Sequence, residues 1–220
     1  MTTPTPAARK VVVVSAGLSQ PSSTRLLADR LASAVVAAGA SRGVAVELEA
    51  VELRDRAHDL ANALVTGFPA GDLRAAVDTV GSADAVVAVT PVFTASYSGL
   101  FKSFVDVLDP ESLVGVPVLV AATAGTARHS LVLEHAMRPL FSYLRAVVVP
   151  TGVYAASEDW GVGDSAGSAL DERIDRAAGE LADLLAGLPA AAARRAATVD
   201  PYEEPTAFAD LLQQHSGQQL

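Results

Sequence analysis

The chain has 220 residues, half of them hydrophobic and 19% charged, with a net charge of −9 and no cysteine. This is enough for one globular domain with a full core. The acidic balance argues against a nucleic-acid surface, which needs clustered Lys and Arg, and the lack of cysteine removes disulfides and thiolate metal sites. No apolar run approaches the ~20 residues of a bilayer crossing, and the polar start MTTPTPAARK has no secretory h-region. A cytoplasmic protein without membrane or nucleic-acid partners is expected.

Residues 1–9 are rich in Pro and Thr and are expected to form a flexible N-terminus. Val11 to Val14 is too apolar for a strand with one wet face and reads as a central strand of a parallel sheet. A turn of Gly, Ser and Pro follows. Leu26, Leu27, Leu31, Val35 and Val36 then recur at helical spacing to about Ala40. Val44 to Leu48 reads as a second strand, and Leu53 to Gly67 and Asp72 to Val80 as short helices. Ala85 to Val89 is a third strand ending at Thr90-Pro91, and Tyr97 to Leu108 is a helix stopped by Pro110. Val116 to Ala122 is a fourth strand, Ser130 to Leu144 a helix, and Ala146 to Val149 a fifth strand closed by Pro150. Asp164 to Leu188 forms the last helix. The domain therefore spans 10–189. Residues 190–220 form a tail of Ala, Arg, Pro, Glu and Gln in which Ala207 to Leu212 offers one amphipathic turn.

Strand–helix alternation repeated in this way predicts an α/β fold: a five-stranded parallel sheet in the flavodoxin-like order 2-1-3-4-5, with helices on both faces. Its ligand crevice lies at the switch point between strands one and three. The loop after strand one carries Ser19, Ser22, Ser23 and Thr24 ahead of a helix N-terminus. Hydroxyls together with unpaired first-turn amides suit a phosphate monoester; the alternative is ordinary N-capping. Neither G-x-G-x-x-G nor G-x-x-x-x-G-K-[ST] is present, so a dinucleotide fingerprint and a P-loop are both excluded. The loop after strand three offers Phe93 and Tyr97 among small residues, and the loop after strand four offers Gly125 flanked by hydroxyls. An aromatic and small-residue wall beside a phosphate pocket suits a flat heterocycle with a phosphate tail.

TPVFTASYSGLFKSFVDVLD (90–109) fits the pattern T-P-x-[YF]-x-x-x-Y-[ST]-G-x-x-K-x-x-x-D. With ATAGTARHSLVLEHAMRPLFSYLRAVVVPTGVYA (122–155), it resembles the NADPH-dependent FMN reductases of the flavodoxin-like fold. The resemblance is strongest to the branch that serves two-component monooxygenases, and it covers about Val11 to Asp159. It implies that Ser19, Ser22, Ser23 and Thr24 hold the FMN phosphate and that Pro91, Val92 and Phe93 line the isoalloxazine. Thr123, Ala124, Gly125 and Thr126 would meet the pyrimidine rim, with His129 near the flavin or NADPH. The implied activity is hydride transfer from NADPH or NADH to FMN, with no general acid or base, in a homodimer or homotetramer that supplies a partner monooxygenase. Rival readings are an FMN-containing quinone or azo reductase and, in a different class, a flavodoxin-type electron carrier. Leu131, Leu133, Met137, Leu140 and Phe141 exceed one buried stripe, which points to a subunit contact near His135. Lys102 and Asp106 read as a simple i,i+4 ion pair. No two histidines fall at metal-ligand spacing on one helix face.

Overall fold

The computed structural model describes residues 8–160 and 165–191; the tail from 192 onward, with the turn expected at Ala207 to Leu212, and most of the N-terminus lie outside them. In chain order the strands are β1 (Arg9–Ser15), β2 (Val46–Glu52), β3 (Ala85–Phe93), β4 (Ser96–Tyr97), β5 (Pro117–Ala124), β6 (Val147–Val148) and β7 (Val153–Ala156). The helices are α1 (Ser23–Ser41), α2 (Ala57–Thr66), α3 (Gly71–Gly81), α4 (Gly99–Asp106), α5 (Arg138–Tyr143) and α6 (Ser165–Gly187). The sheet runs β2-β1-β3-β5-β6 in parallel pairs, with β7 also on β5 and β4 antiparallel to β3.

The valine run explains itself once its two faces are separated. Val12 and Val14 enter the core beneath α2, α3, α4 and α5, whereas Val11 and Val13 enter the core beneath α1 and α6. β3 and β5 alternate in the same way, through Val86 and Ala88 against Val87 and Val89, and Val118 and Val120 against Leu119 and Ala121. A side-chain period of two with helices on both faces makes the middle of these strands apolar on both sides, and the buried polar residues Ser15, Thr90 and Thr123 fall towards their carboxyl ends.

The expected order of sheet positions is present, but the strand count differs. The fifth position is split: Val148 stands opposite Val118 and Val153 opposite Ala121, so two extra residues bulge out around Pro150, which has no N–H for the ladder. Arg138 spans the break, donating to the carbonyls of Val149 and Pro150 at 3.0 Å each while it pairs with Glu134 at 2.8 Å. Those bonds to Glu134 raise the Arg138 pKa and lower that of the Glu134 carboxyl. Strand two also sits further along than expected, because its register with β1, from Arg9 opposite Val46 to Ser15 opposite Glu52, decides its place rather than its hydrophobicity. It is an edge strand in which Val51 alone is fully buried.

The helix expected over 130–144 is not continuous. A 3-10 turn at Ala127–His129 and a π turn at Leu133–Met137 precede α5, with the Arg138 amide donating to the Leu133 carbonyl and Pro139 supplying no amide of its own. This winding buries Val132, Leu133, Met137, Phe141 and Leu144 within the subunit. The apolar surplus read from the sequence is thus mostly absorbed internally, leaving Leu131 and Tyr143 exposed at 62% and 80%.

Candidate functional site

The carboxyl ends of β1, β3, β5 and β7 meet at one cleft of about 470 Å³, lined by Leu18, Ser19, Ser22, Ser23, Thr24, Pro91, Val92, Phe93, Thr123, Ala124, Gly125, Ser157 and Trp160. Its volume falls within the ~300–1,000 Å³ typical of small-molecule sites. All the candidate residues except Thr126 and His129 line it.

The first loop is folded back on itself. Gly17 is buried at the end of β1, and a Cβ there would lie 2.1 Å from Ser22 Oγ. Only glycine leaves room for Ser22 over the strand end. Ser22 has extended backbone and caps α1, its Oγ accepting from the Arg25 amide at 3.2 Å. Accepting leaves the Ser22 hydroxyl proton free to donate. Thr24 Oγ1 lies 2.7 Å from Thr123 Oγ1, both residues being buried, which ties the start of α1 to the end of β5. That bond uses one of the pair's two protons. Ser19 and Ser23 are exposed, and their hydroxyls bond to no other described residue. The four hydroxyls therefore divide into a cap, a buried pair member and two open donors. A helix cap and open hydroxyl donors coexist in this loop.

Arg25 is not available to an anion here. Asp29 holds its Nε at 2.7 Å and Glu52 its Nη1 at 2.6 Å, and these bonds, led by the one to Asp29, raise its pKa. It lines a neighbouring cleft rather than this one. No Lys or Arg lines the cleft among the described residues.

On the second side, β3 continues past Thr90-Pro91 and turns through Thr94 and Ala95, both at positive φ (49° and 66°), into β4. Two such residues in sequence form the primed turn that a two-residue hairpin favours. Thr90 Oγ1 accepts from the Ser98 amide at 3.0 Å, and Ser98 Oγ accepts from the Phe101 amide at 3.1 Å, so the hairpin is locked to α4. Phe93 is left 47% exposed at the cleft. Tyr97 instead packs on Phe101, ring centroids 5.9 Å apart, and Lys102 and Asp106 form an exposed ion pair.

On the third side, Gly125 lines the cleft, and a Cβ on it would meet no protein atom within 4 Å. Backbone open to that degree can be approached closely by a planar ring. Thr126 turns away and caps the 3-10 turn, while its carbonyl accepts from Tyr154 Oη at 2.6 Å. Burial raises the Tyr154 pKa, partly offset by a hydrogen bond from the His129 backbone. His129 is half-buried on that turn, and Arg128 is exposed. Among the described residues no group of His, Asp and Glu could hold a metal ion, and no helix is long and apolar enough to cross a membrane.

Sequence reasoning missed Gly17, Leu18, Ser157 and Trp160. The last two come from the second half of the fifth strand position, which the sequence reading closed at Pro150.

A hydroxyl-rich helix N-terminus at one end and a wall of small and aromatic residues beside it fit a flat heterocycle carrying a phosphate. The comparisons with known proteins agree with that geometry. The pattern of the NADPH-dependent FMN reductases matches residues 9–161. An FMN reductase (NADPH) of Pseudomonas aeruginosa is 38% identical over 81% of this chain and 93% of its own length. The NADH-dependent FMN reductase SfnF of Pseudomonas fluorescens is 37% identical over 80% of this chain and 91% of its own. Among solved structures, an oxidoreductase from Corynebacterium diphtheriae superposes with a TM-score of 0.80 at 50% identity, covering 83% of this chain and 99% of that one. The chain belongs to the NADPH-dependent FMN reductase family.

Proposed function

We propose that the protein is an NAD(P)H-dependent FMN reductase that treats FMN as a substrate and releases it reduced to a partner monooxygenase. Family membership carries the coarser part, an NAD(P)H:FMN oxidoreductase. In that chemistry a hydride passes from nicotinamide C4 to flavin N5 when the two rings stack. The protein's part is to bind, orient and exclude water. Ser19, Ser22, Ser23 and Thr24, with the first-turn amides of α1, would hold the phosphate. Pro91, Val92 and Phe93 would flank the isoalloxazine, and Thr123, Ala124 and Gly125 would line its pyrimidine edge, with Thr126 and His129 in the adjoining turn. Donors at that edge favour negative charge on the ring.

The observation that carries release is the uncharged phosphate end. Among the described residues no Lys or Arg lines the cleft, and Arg25 is held by two carboxylates. Neutral hydrogen bonds contribute ~0.5–1.5 kcal/mol each, against ~1.5–3 for charged ones. Micromolar FMN binding, about −8 kcal/mol, is the expected result. Free reduced flavin reacts with dioxygen, so its use calls for an oxygenase nearby. The reading includes a homodimer or homotetramer, supported by the exposed Leu131 and Tyr143 on either side of His135 in the sequence. Gel filtration of freshly purified protein tests both parts: we expect a colourless oligomer that turns over added FMN. A yellow peak holding equimolar FMN would favour the quinone or azo reductase reading, and a monomer would contradict the assembly.

A further inference from the structure

We infer that Trp160 is a wall of the flavin site, its ring packed against the bound flavin and oriented by Arg30; this rests on the FMN reading above. The chain has a single tryptophan. It is half-buried in the lining of the cleft beside Ser157, instead of filling the core. An indole left partly uncovered at a cleft is a large apolar surface that a ligand can cover.

Its position is built, not incidental. Asp159 accepts from the Ala156 amide at 2.8 Å and pairs with Arg173 at 3.0 Å, and Arg173 also donates to the Tyr154 carbonyl at 3.3 Å. These contacts pin the 3-10 turn Ser157–Trp160 to the end of β7. From α1, Arg30 sets its guanidinium 5.7 Å from the indole centroid and forms an ion pair with Asp171 of α6. Because Asp171 neutralises Arg30, the guanidinium serves to orient the ring by cation–π contact and offers little to an anion.

Two aromatics line the cleft, Phe93 from the end of β3 and Trp160 from the turn after β7. Trp160 packs on the core under α1 and α6, and Phe93 at the end of β3 is left half-exposed at the same cleft. A flat ring seated in this cleft can meet both Phe93 and Trp160. The contact is with the ring and its ribityl chain, so it does not depend on the phosphate.

Calorimetric titration of the full-length protein with FMN and with riboflavin tests this, alongside steady-state turnover. Trp160→Leu keeps apolar bulk without the ring and should weaken both ligands alike by about tenfold. It should raise KM for FMN with kcat unchanged. Trp160→Phe should restore most of the affinity, which a merely structural role would not predict. Wild-type affinity for FMN in a folded Trp160→Leu protein overturns the assignment while leaving the FMN reading intact. Failure of the wild-type protein to bind FMN overturns that reading, and this inference with it.

Discussion

Gly17→Ala should weaken FMN binding on the order of 100-fold while changing riboflavin binding only a few-fold. Gly17 does not have positive φ, so alanine brings no backbone strain, and the effect is steric. The new Cβ would sit 2.1 Å from Ser22 Oγ, 3.1 Å from Ser22 Cβ and 3.2 Å from Thr24 Cβ, so the Ser22 hydroxyl must leave its place and both residues must give by a few tenths of an ångström. Ser22 must move. Its cap on α1, worth about 1 kcal/mol, is disturbed, and the hydroxyls of the first turn leave their places around the phosphate. Losing one or two hydrogen bonds to an anion, at ~1.5–3 kcal/mol each, gives the stated change. Riboflavin has no phosphate and should be nearly indifferent. Calorimetry with both ligands decides it: an equal loss for the two would mean that this loop does not hold the phosphate.

Thr24 and Thr123 should show strong coupling. Thr123→Val leaves the Thr24 hydroxyl in a residue only 2% exposed and without its partner 2.7 Å away. An orphaned buried hydroxyl costs ~1–3 kcal/mol of stability. The double change Thr24→Val with Thr123→Val removes both hydroxyls at nearly constant shape, so it should be less damaging than Thr123→Val alone. It should still weaken FMN binding, because both residues line the cleft. Urea unfolding of the singles and the double measures the coupling. A double variant as destabilised as the sum of its singles would show that the two hydroxyls act independently.

Much of this architecture is legible in the sequence, for a definite reason. Val11 to Val14, Ala85 to Val89 and Val116 to Ala122 are apolar on both faces, and only a parallel sheet with helices on each side buries such runs. Consecutive loops at one sheet edge then group Ser22, Pro91 and Ala124 without any coordinates. What escaped depends on contacts remote in sequence or on small backbone departures. The crowding at Gly17 exists only because the loop folds back on Ser22. The bond from Thr24 to Thr123 joins the start of α1 to the end of β5, and the capture of Arg25 by Glu52 depends on the register of β2. Trp160 was hidden by Pro150. A proline ended the strand on paper, whereas in the fold the backbone bulges for two residues and the short run Val153–Ala156 resumes pairing with β5. The apolar run from Leu131 onward suggested a partner surface because a regular helix was assumed, and the π turn turns most of it inward.

The most direct test of the central claim is anaerobic mixing of the purified protein with NADPH or NADH and a large excess of free FMN, followed by ultrafiltration. The account predicts many turnovers per protein, equal moles of nicotinamide oxidised and FMN reduced, and the reduced flavin in the filtrate. Binding of FMN with no reduction by either nicotinamide, or a single reduction with the flavin retained above the membrane, would contradict it.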